Sequence, residues 1–151
     1  MAEPLEVGAS LPRVEAVTQS GKTLDLAEVA AAGWALVYFY PKADTPGCTK
    51  QACSLRDAYS TLSAKGVKVF GVSTDGVEAQ KAFADKYELP FTLLADDEKK
   101  VVGAFGVPVM AGVGLAKRQA FLFKDGELVW RDLTASTAEQ ADDVLKVIEA
   151  G

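Results

Sequence analysis

The chain is 151 residues long, with 16 Lys or Arg against 21 Asp or Glu, a net charge of −5 and no histidine. Apolar residues make up 49% and charged residues 25%, a balance that excludes intrinsic disorder and suits one domain, expected across residues 1–151. The acidic surplus argues against a nucleic-acid or membrane partner, no apolar run reaches the roughly 20 residues of a membrane span, and Met1–Glu6 lacks the basic start and apolar core of a signal peptide, so a cytoplasmic protein is expected.

Taken in chain order, Arg13–Thr18 and Thr23–Leu26 read as a hairpin around a glycine turn. Asp25 is placed to cap a short helix that ends at Gly33. Trp34–Tyr40 is an unbroken apolar run rich in β-formers, the pattern of a strand buried on both faces. Thr49–Lys65 carries Ala52, Leu55, Tyr59 and Leu62 at helical spacing, with Gly66 as its stop. A strand at Val67–Ser73, a helix at Val77–Tyr87 capped near Asp75 or Gly76, and a strand at Phe91–Ala95 follow. A helix at Glu98–Phe105 ends at Gly106. Arg118–Phe123 and Glu127–Arg131 form a second hairpin around Asp125-Gly126, and Thr137–Ala150 reads as a final amphipathic helix. Strands alternating with helices imply an α/β protein with a parallel core sheet covered on both faces, and the second hairpin makes the sheet mixed. The layout resembles a thioredoxin-like fold, a mixed central sheet flanked by helices with an N-terminal β-hairpin.

Two cysteines do not make a disulfide framework, and in a reducing compartment a close pair points to redox, catalytic or metal chemistry. Cys48 lies past the carboxyl end of the Trp34–Tyr40 strand, where open α/β sheets gather their function. It follows Thr45-Pro46-Gly47, where a helix should begin. A thiol there faces unpaired backbone N–H groups and the positive end of the helix dipole, both of which favour the reactive thiolate. The alternative is a small inert hydrophobe, as lone core cysteines usually are; the turn position, outside any periodic core pattern, speaks for reactivity. Without histidine, Cys–His pairing is excluded, and activation falls to a dipole, a backbone donor, a hydroxyl or Lys/Arg. Pro41 and Pro46 fix the backbone of the turn or keep water from the thiol. Gly47 permits close backbone approach.

Pro41, Thr45 and Cys48 spell P-x-x-x-T-x-x-C. With this the chain resembles the peroxiredoxins, and Tyr38–Asp57 in particular is similar to their bacterioferritin-comigratory-protein (PrxQ) subfamily. The likeness continues through Gly71–Asp75, Phe91–Asp96 and Arg118–Leu122. It implies a thiol peroxidase that needs no cofactor and reduces hydrogen peroxide and organic hydroperoxides. Cys48 would be the peroxidatic residue, passing through a sulfenic acid. Thr45 would hydrogen-bond thiolate and peroxide, and Arg118 would stabilise the thiolate and the charge on the leaving oxygen. The N–H groups of Gly47 and Cys48 would complete the anion site.

Cys53 would be the resolving cysteine, closing an intramolecular disulfide that thioredoxin or a similar dithiol reduces. Five helical residues place Cα atoms about 8.6 Å apart, beyond the roughly 7 Å a disulfide allows. The helix is therefore expected to unwind for the pair to join. The resemblance also implies a monomer. Gln51 stands where many peroxiredoxins carry glutamate, and the apolar residues 107–117 are read either as a border of the site or as cover for the core. The rivals are a thiol–disulfide oxidoreductase, disfavoured because Thr45 replaces the first cysteine of C-x-x-C, and a redox sensor using the same disulfide.

Overall fold

The computed structural model describes residues 5–110, 114–133 and 140–150. The N-terminal hairpin is β1 (Glu15–Thr18) and β2 (Thr23–Asp25), and the Asp25 carboxylate accepts from the Ala27 N–H to cap α1 (Leu26–Val29). Then come β3 (Trp34–Phe39), α2 (Pro46–Asp57), α3 (Tyr59–Ala64), β4 (Val67–Ser73), α4 (Val77–Tyr87), β5 (Thr92–Ala95) and α5 (Lys100–Phe105). The second hairpin is β6 (Gln119–Lys124) and β7 (Glu127–Asp132), and α6 (Gln140–Ala150) is the last described element. The expected start of that last helix, Thr137, lies outside the described residues.

The strands form one seven-stranded sheet in the order β2-β1-β5-β4-β3-β6-β7. β3, β4 and β5 run parallel, while β1 pairs antiparallel with β5 and β6 antiparallel with β3. The mixed α/β layout expected from the sequence is present, and the N-terminal hairpin extends the sheet at the β5 edge. β3 explains why its sequence shows no alternation. Leu36, Tyr38 and Tyr40 pack with Cys48, Ala52 and Leu55 of α2, Leu62 of α3, Phe83 of α4 and Val144 of α6 on one face. Ala35, Val37 and Phe39 pack with Leu26 of α1 and Val101, Val102 and Phe105 of α5 on the other. Both faces are dry, so both must be apolar.

Several helix boundaries differ from the sequence reading; α1, expected to end at Gly33, already ends at Val29. The helix expected from Thr49 begins at Pro46, with Thr45 as its N-cap in extended conformation. Proline suits the first helical position, because its missing N–H would have no intrahelical partner and its φ is already helical. The same helix is interrupted at Ala58, whose N–H reaches the Ser54 and Arg56 carbonyls, and no proline or glycine marks that break. The helix expected from Glu98 begins at Lys100, and the Asp96 carboxylate serves its start, accepting from the N–H groups of Val101 and Val102 at 3.1 and 2.8 Å.

Candidate active site

The parallel strand β3 delivers the chain to the carboxyl end of the sheet, where Tyr40 N–H still bonds the Val72 carbonyl. The next residues turn through Pro41, which is half-buried, and Asp44, whose φ of 59° is left-handed. Aspartate tolerates that region better than most residues, and the reversal lets Thr45 return to extended backbone and open α2. The first bond of the helix runs from Thr49 N–H to the Thr45 carbonyl at 2.8 Å. Cys48 is therefore the third residue of α2, preceded by Pro46 and Gly47. The N–H groups of Gly47 and Cys48 precede the first intrahelical bond, so neither is used inside the helix.

Cys48 is 1% exposed and Cys53 is half-buried, and both are free thiols on the same helix. Arg118, the residue before β6, reaches across from the neighbouring strand. Its Nη2 lies 3.3 Å from Cys48 Sγ and its Nη1 donates to Gln51 Oε1 at 2.5 Å. One planar fork thus spans a thiol and an amide one helical turn apart. Gln51 is fully buried. Its amide oxygen accepts the guanidinium without adding charge beside the thiol, a role that glutamate could not play neutrally.

Thr45 is placed differently from its expected contact. Its hydroxyl donates to the Lys42 carbonyl at 2.8 Å, which closes the turn. The oxygen lone pairs stay available to an incoming O–H donor.

Sequence reasoning missed the groups that hold this turn. Asp75, read as a cap candidate for α4, leaves that position to Gly76. Its Oδ2 accepts from the Ala43 N–H at 2.7 Å and from the Ser73 hydroxyl at 2.6 Å, tying the end of β4 to the turn. Asp44 accepts from the Tyr87 hydroxyl at 2.7 Å and from Lys86 Nζ at 3.0 Å. The Tyr87 hydroxyl and the Lys86 ammonium hold the Asp44 carboxyl below its ordinary range, and Lys86 is raised in turn. No local signal marks Asp44, because its partners lie more than 40 residues further along the chain.

Tyr38 and Tyr40 line the floor beneath α2. Burial pushes both phenols above their ordinary value, so they remain protonated wall and core. Tyr40 donates to buried Gln80, which in turn donates to the Leu94 carbonyl. Val107–Lys117 folds back on itself through a Val109–Ala116 bridge, with residues 111–113 outside the described set. Val107 and Ala116 cover core. The turn side is fastened to the end of β4, where the Thr74 hydroxyl donates to the Gly114 carbonyl at 3.1 Å. The core-covering reading therefore holds for Val107 and Ala116, and the Thr74 bond sets Gly114 beside the end of β4.

The sequence matches the AhpC/TSA family over residues 7–131. A bcp peroxiredoxin of Coxiella burnetii is 47% identical over 105 residues, covering 70% of this chain and 69% of that protein. The crystal structure of peroxidoxin BcpB from Mycobacterium tuberculosis superposes with a TM-score of 0.89 at 30% identity, covering 97% of each chain. The bacterioferritin comigratory protein of Xanthomonas campestris, studied for alkyl peroxide reduction, superposes with a TM-score of 0.85 at 28% identity, covering 97% of this chain and 96% of that one.

Proposed function

Because this chain belongs to the AhpC/TSA family and is a thiol-dependent peroxidase of the peroxiredoxin kind, we propose that Cys48 is its peroxidatic residue and Cys53 its resolving one. The observation that carries the assignment is the 3.3 Å approach of the Arg118 guanidinium to a buried Cys48 in the first turn of α2. A permanent cation and a helix N-terminus converge on one sulfur, and both stabilise negative charge there.

The reaction follows from that field. The Cys48 thiolate attacks one oxygen of a hydroperoxide ROOH, and the O–O bond breaks. The sulfur is oxidised to a sulfenic acid, and the leaving oxygen takes up a proton to depart as ROH. Arg118 and the N–H groups of Gly47 and Cys48 stabilise the charge that develops on the leaving oxygen. The Thr45 oxygen accepts from the peroxide O–H, Pro41 shields the turn from water, and Gln51 keeps the guanidinium aimed. Cys53 then attacks the sulfenic sulfur, water leaves, and a Cys48–Cys53 disulfide forms. Thioredoxin or a similar dithiol reduces it.

The substrates are hydrogen peroxide and small organic hydroperoxides. The apolar Val107–Lys117 segment at the same end of the sheet suits the organic ones, as does the alkyl peroxide activity of the X. campestris protein. A reducing cytoplasm would return both cysteines to thiols between turnovers. The chain is proposed to act as one domain and as a monomer, since the exposed large apolar side chains among the described residues are few: Val7, Val109 and Leu133.

The test is peroxide consumption by wild type, Cys48→Ser and Cys53→Ser with catalytic thioredoxin and its reductase. Cys48→Ser should abolish turnover. Cys53→Ser should consume one equivalent of peroxide and then lose efficient thioredoxin-linked turnover. Turnover retained by Cys48→Ser would overturn the assignment.

A further inference from the structure

The residues that must come apart during this cycle are bracketed by a single helix end. Cys48 and Cys53 share α2, and an intact helix keeps their Cα atoms too far apart for a disulfide. On the N-terminal side, Asp44 precedes Cys48 by four residues and is gripped by two groups, the Tyr87 hydroxyl at 2.7 Å and Lys86 Nζ at 3.0 Å. On the C-terminal side, Arg56 follows Cys53 by three residues, and its Nη1 donates to the Tyr87 carbonyl at 2.8 Å. The last turn of α4 thus holds both flanks of the stretch that has to open.

The grip has the properties of a latch rather than of core. Asp44 and Lys86 are 44% and 59% exposed at their side chains, so each bond is worth little and is exchanged easily with water. The Tyr87 ring is itself fixed edge-on to Phe83 with centroids 5.5 Å apart, and the Lys86 ammonium also lies over it, 5.3 Å from its centroid. Asp44 itself sits at a left-handed φ of 59°, which an aspartate leaves readily once its side chain is released. The half-buried attachment of Asp75 to the Ala43 N–H lies on the other side of Asp44 from Cys48 and need not break when α2 unwinds.

We propose that Lys86 and Tyr87 are positioning residues which, by holding Asp44, keep the Cys48 turn folded and so set how much Cys48 sulfenic acid is resolved by Cys53 and how much is overoxidised. The proposal rests on the peroxidatic and resolving roles assigned above. While α2 stays folded, the sulfenic acid remains in the peroxide site. There a second ROOH can transfer oxygen to its sulfur, giving the sulfinic acid and ROH. When α2 opens, Cys53 reaches the sulfur, water leaves and the disulfide forms. The two fates compete, and the latch weights the first.

Tyr87→Phe keeps the ring and the carbonyl that binds Arg56 while removing the hydroxyl. Lys86→Met keeps the aliphatic stem while removing the ammonium. Each is treated with a series of peroxide doses under thioredoxin turnover, and sulfinic acid and disulfide at Cys48 are quantified by peptide mass spectrometry. Disulfide formation after a single equivalent is timed separately. Both variants should form the disulfide roughly two- to fivefold faster and accumulate correspondingly less sulfinic acid per turnover, the scale expected from losing one exposed polar contact. Lys81→Met, which breaks the Lys81–Asp85 ion pair on the same helix without touching Asp44, should match wild type in both readouts.

Wild type that gives no Cys48–Cys53 disulfide with one equivalent overturns the assigned roles and the latch with them. Wild type that forms the disulfide while both variants keep its rate and its sulfinic yield overturns the latch alone. So does a change shared equally by Lys81→Met, which would make the effect one of general stability.

Discussion

At the scale of single residues, the site depends on one side chain doing two things at once. Arg118 bonds Gln51 with one arm and approaches Cys48 with the other. A lysine carries the same charge but has one compact ammonium in place of a rigid fork. It would have to choose between the amide and the sulfur. Arg118→Lys should therefore lower the second-order rate of Cys48 oxidation by about ten- to a hundredfold, less than the roughly hundred- to thousandfold of removing a well-aimed donor outright, because the charge is kept. Stopped-flow fluorescence or competition against a second peroxidase would measure it, and an unchanged rate would mean that charge alone suffices. Much of this was legible beforehand. Cys48, Thr45, Pro41, Gly47 and Arg118 stand in a pattern with a chemical reason for each member. What the sequence could not supply was the partners. Gln51 stood out only as a departure from glutamate, and its meaning needs the Arg118 fork brought in from another strand. Asp75 and Asp44 carry no local mark, because their bonds run to Ala43 and to the end of α4.

At the scale of elements, the proposed roles of Cys48 and Cys53 require α2 both to present the thiol and to give it up. Its N-terminus holds Cys48 against Arg118, yet Cys53 lies further along the same unbroken helix. Oxidation with one equivalent of peroxide should therefore remove amide hydrogen-exchange protection around Cys48–Cys53 in wild type. The Cys53→Ser protein, which has nothing to draw Cys48 out of the helix, should keep it. A disulfide formed with protection intact would overturn the requirement for unwinding. The boundaries of this helix also mark where local reading ran short. Gly66 and Gly106 announce helix ends openly, and both have positive φ, 78° and 67°. Pro46 permits an early start, but the sequence signal for a turn and the signal for a first helical residue coincide there. The interruption at Ala58 lies between residues with ordinary helix propensity.

At the scale of the whole molecule, the strands were legible and their order less so. Apolar runs define β3 and β4, but nothing local says that the N-terminal hairpin joins β5, as the Val17–Ala95 pairing shows. The same long-range packing makes Gly71 informative. It sits mid-strand in β4, between Tyr38 of β3 and Leu93 of β5, and has no positive φ to require a glycine. The requirement is space, since a Cβ there would lie 2.8 Å from Tyr38 Cζ and Oη and from Leu93 Cδ2. Glycine weakens a strand interior unless something approaches closely, and here the Tyr38 ring lies over the backbone. The hydroxyl of that ring is buried with no hydrogen-bond partner among the described residues. Tyr38→Phe should therefore hold stability or raise it by up to about 1 kcal/mol in urea denaturation, since an unpaired buried hydroxyl is removed. Gly71→Ala should cost about 1–3 kcal/mol by overpacking. In the double variant the missing Oη relieves part of the collision while Cζ remains, so the cost of Gly71→Ala should fall by roughly 0.5 kcal/mol or more. Strictly additive costs would mean that the Tyr38 hydroxyl takes no part in the collision, and that the ring carbon and Leu93 Cδ2 are what keep this position empty.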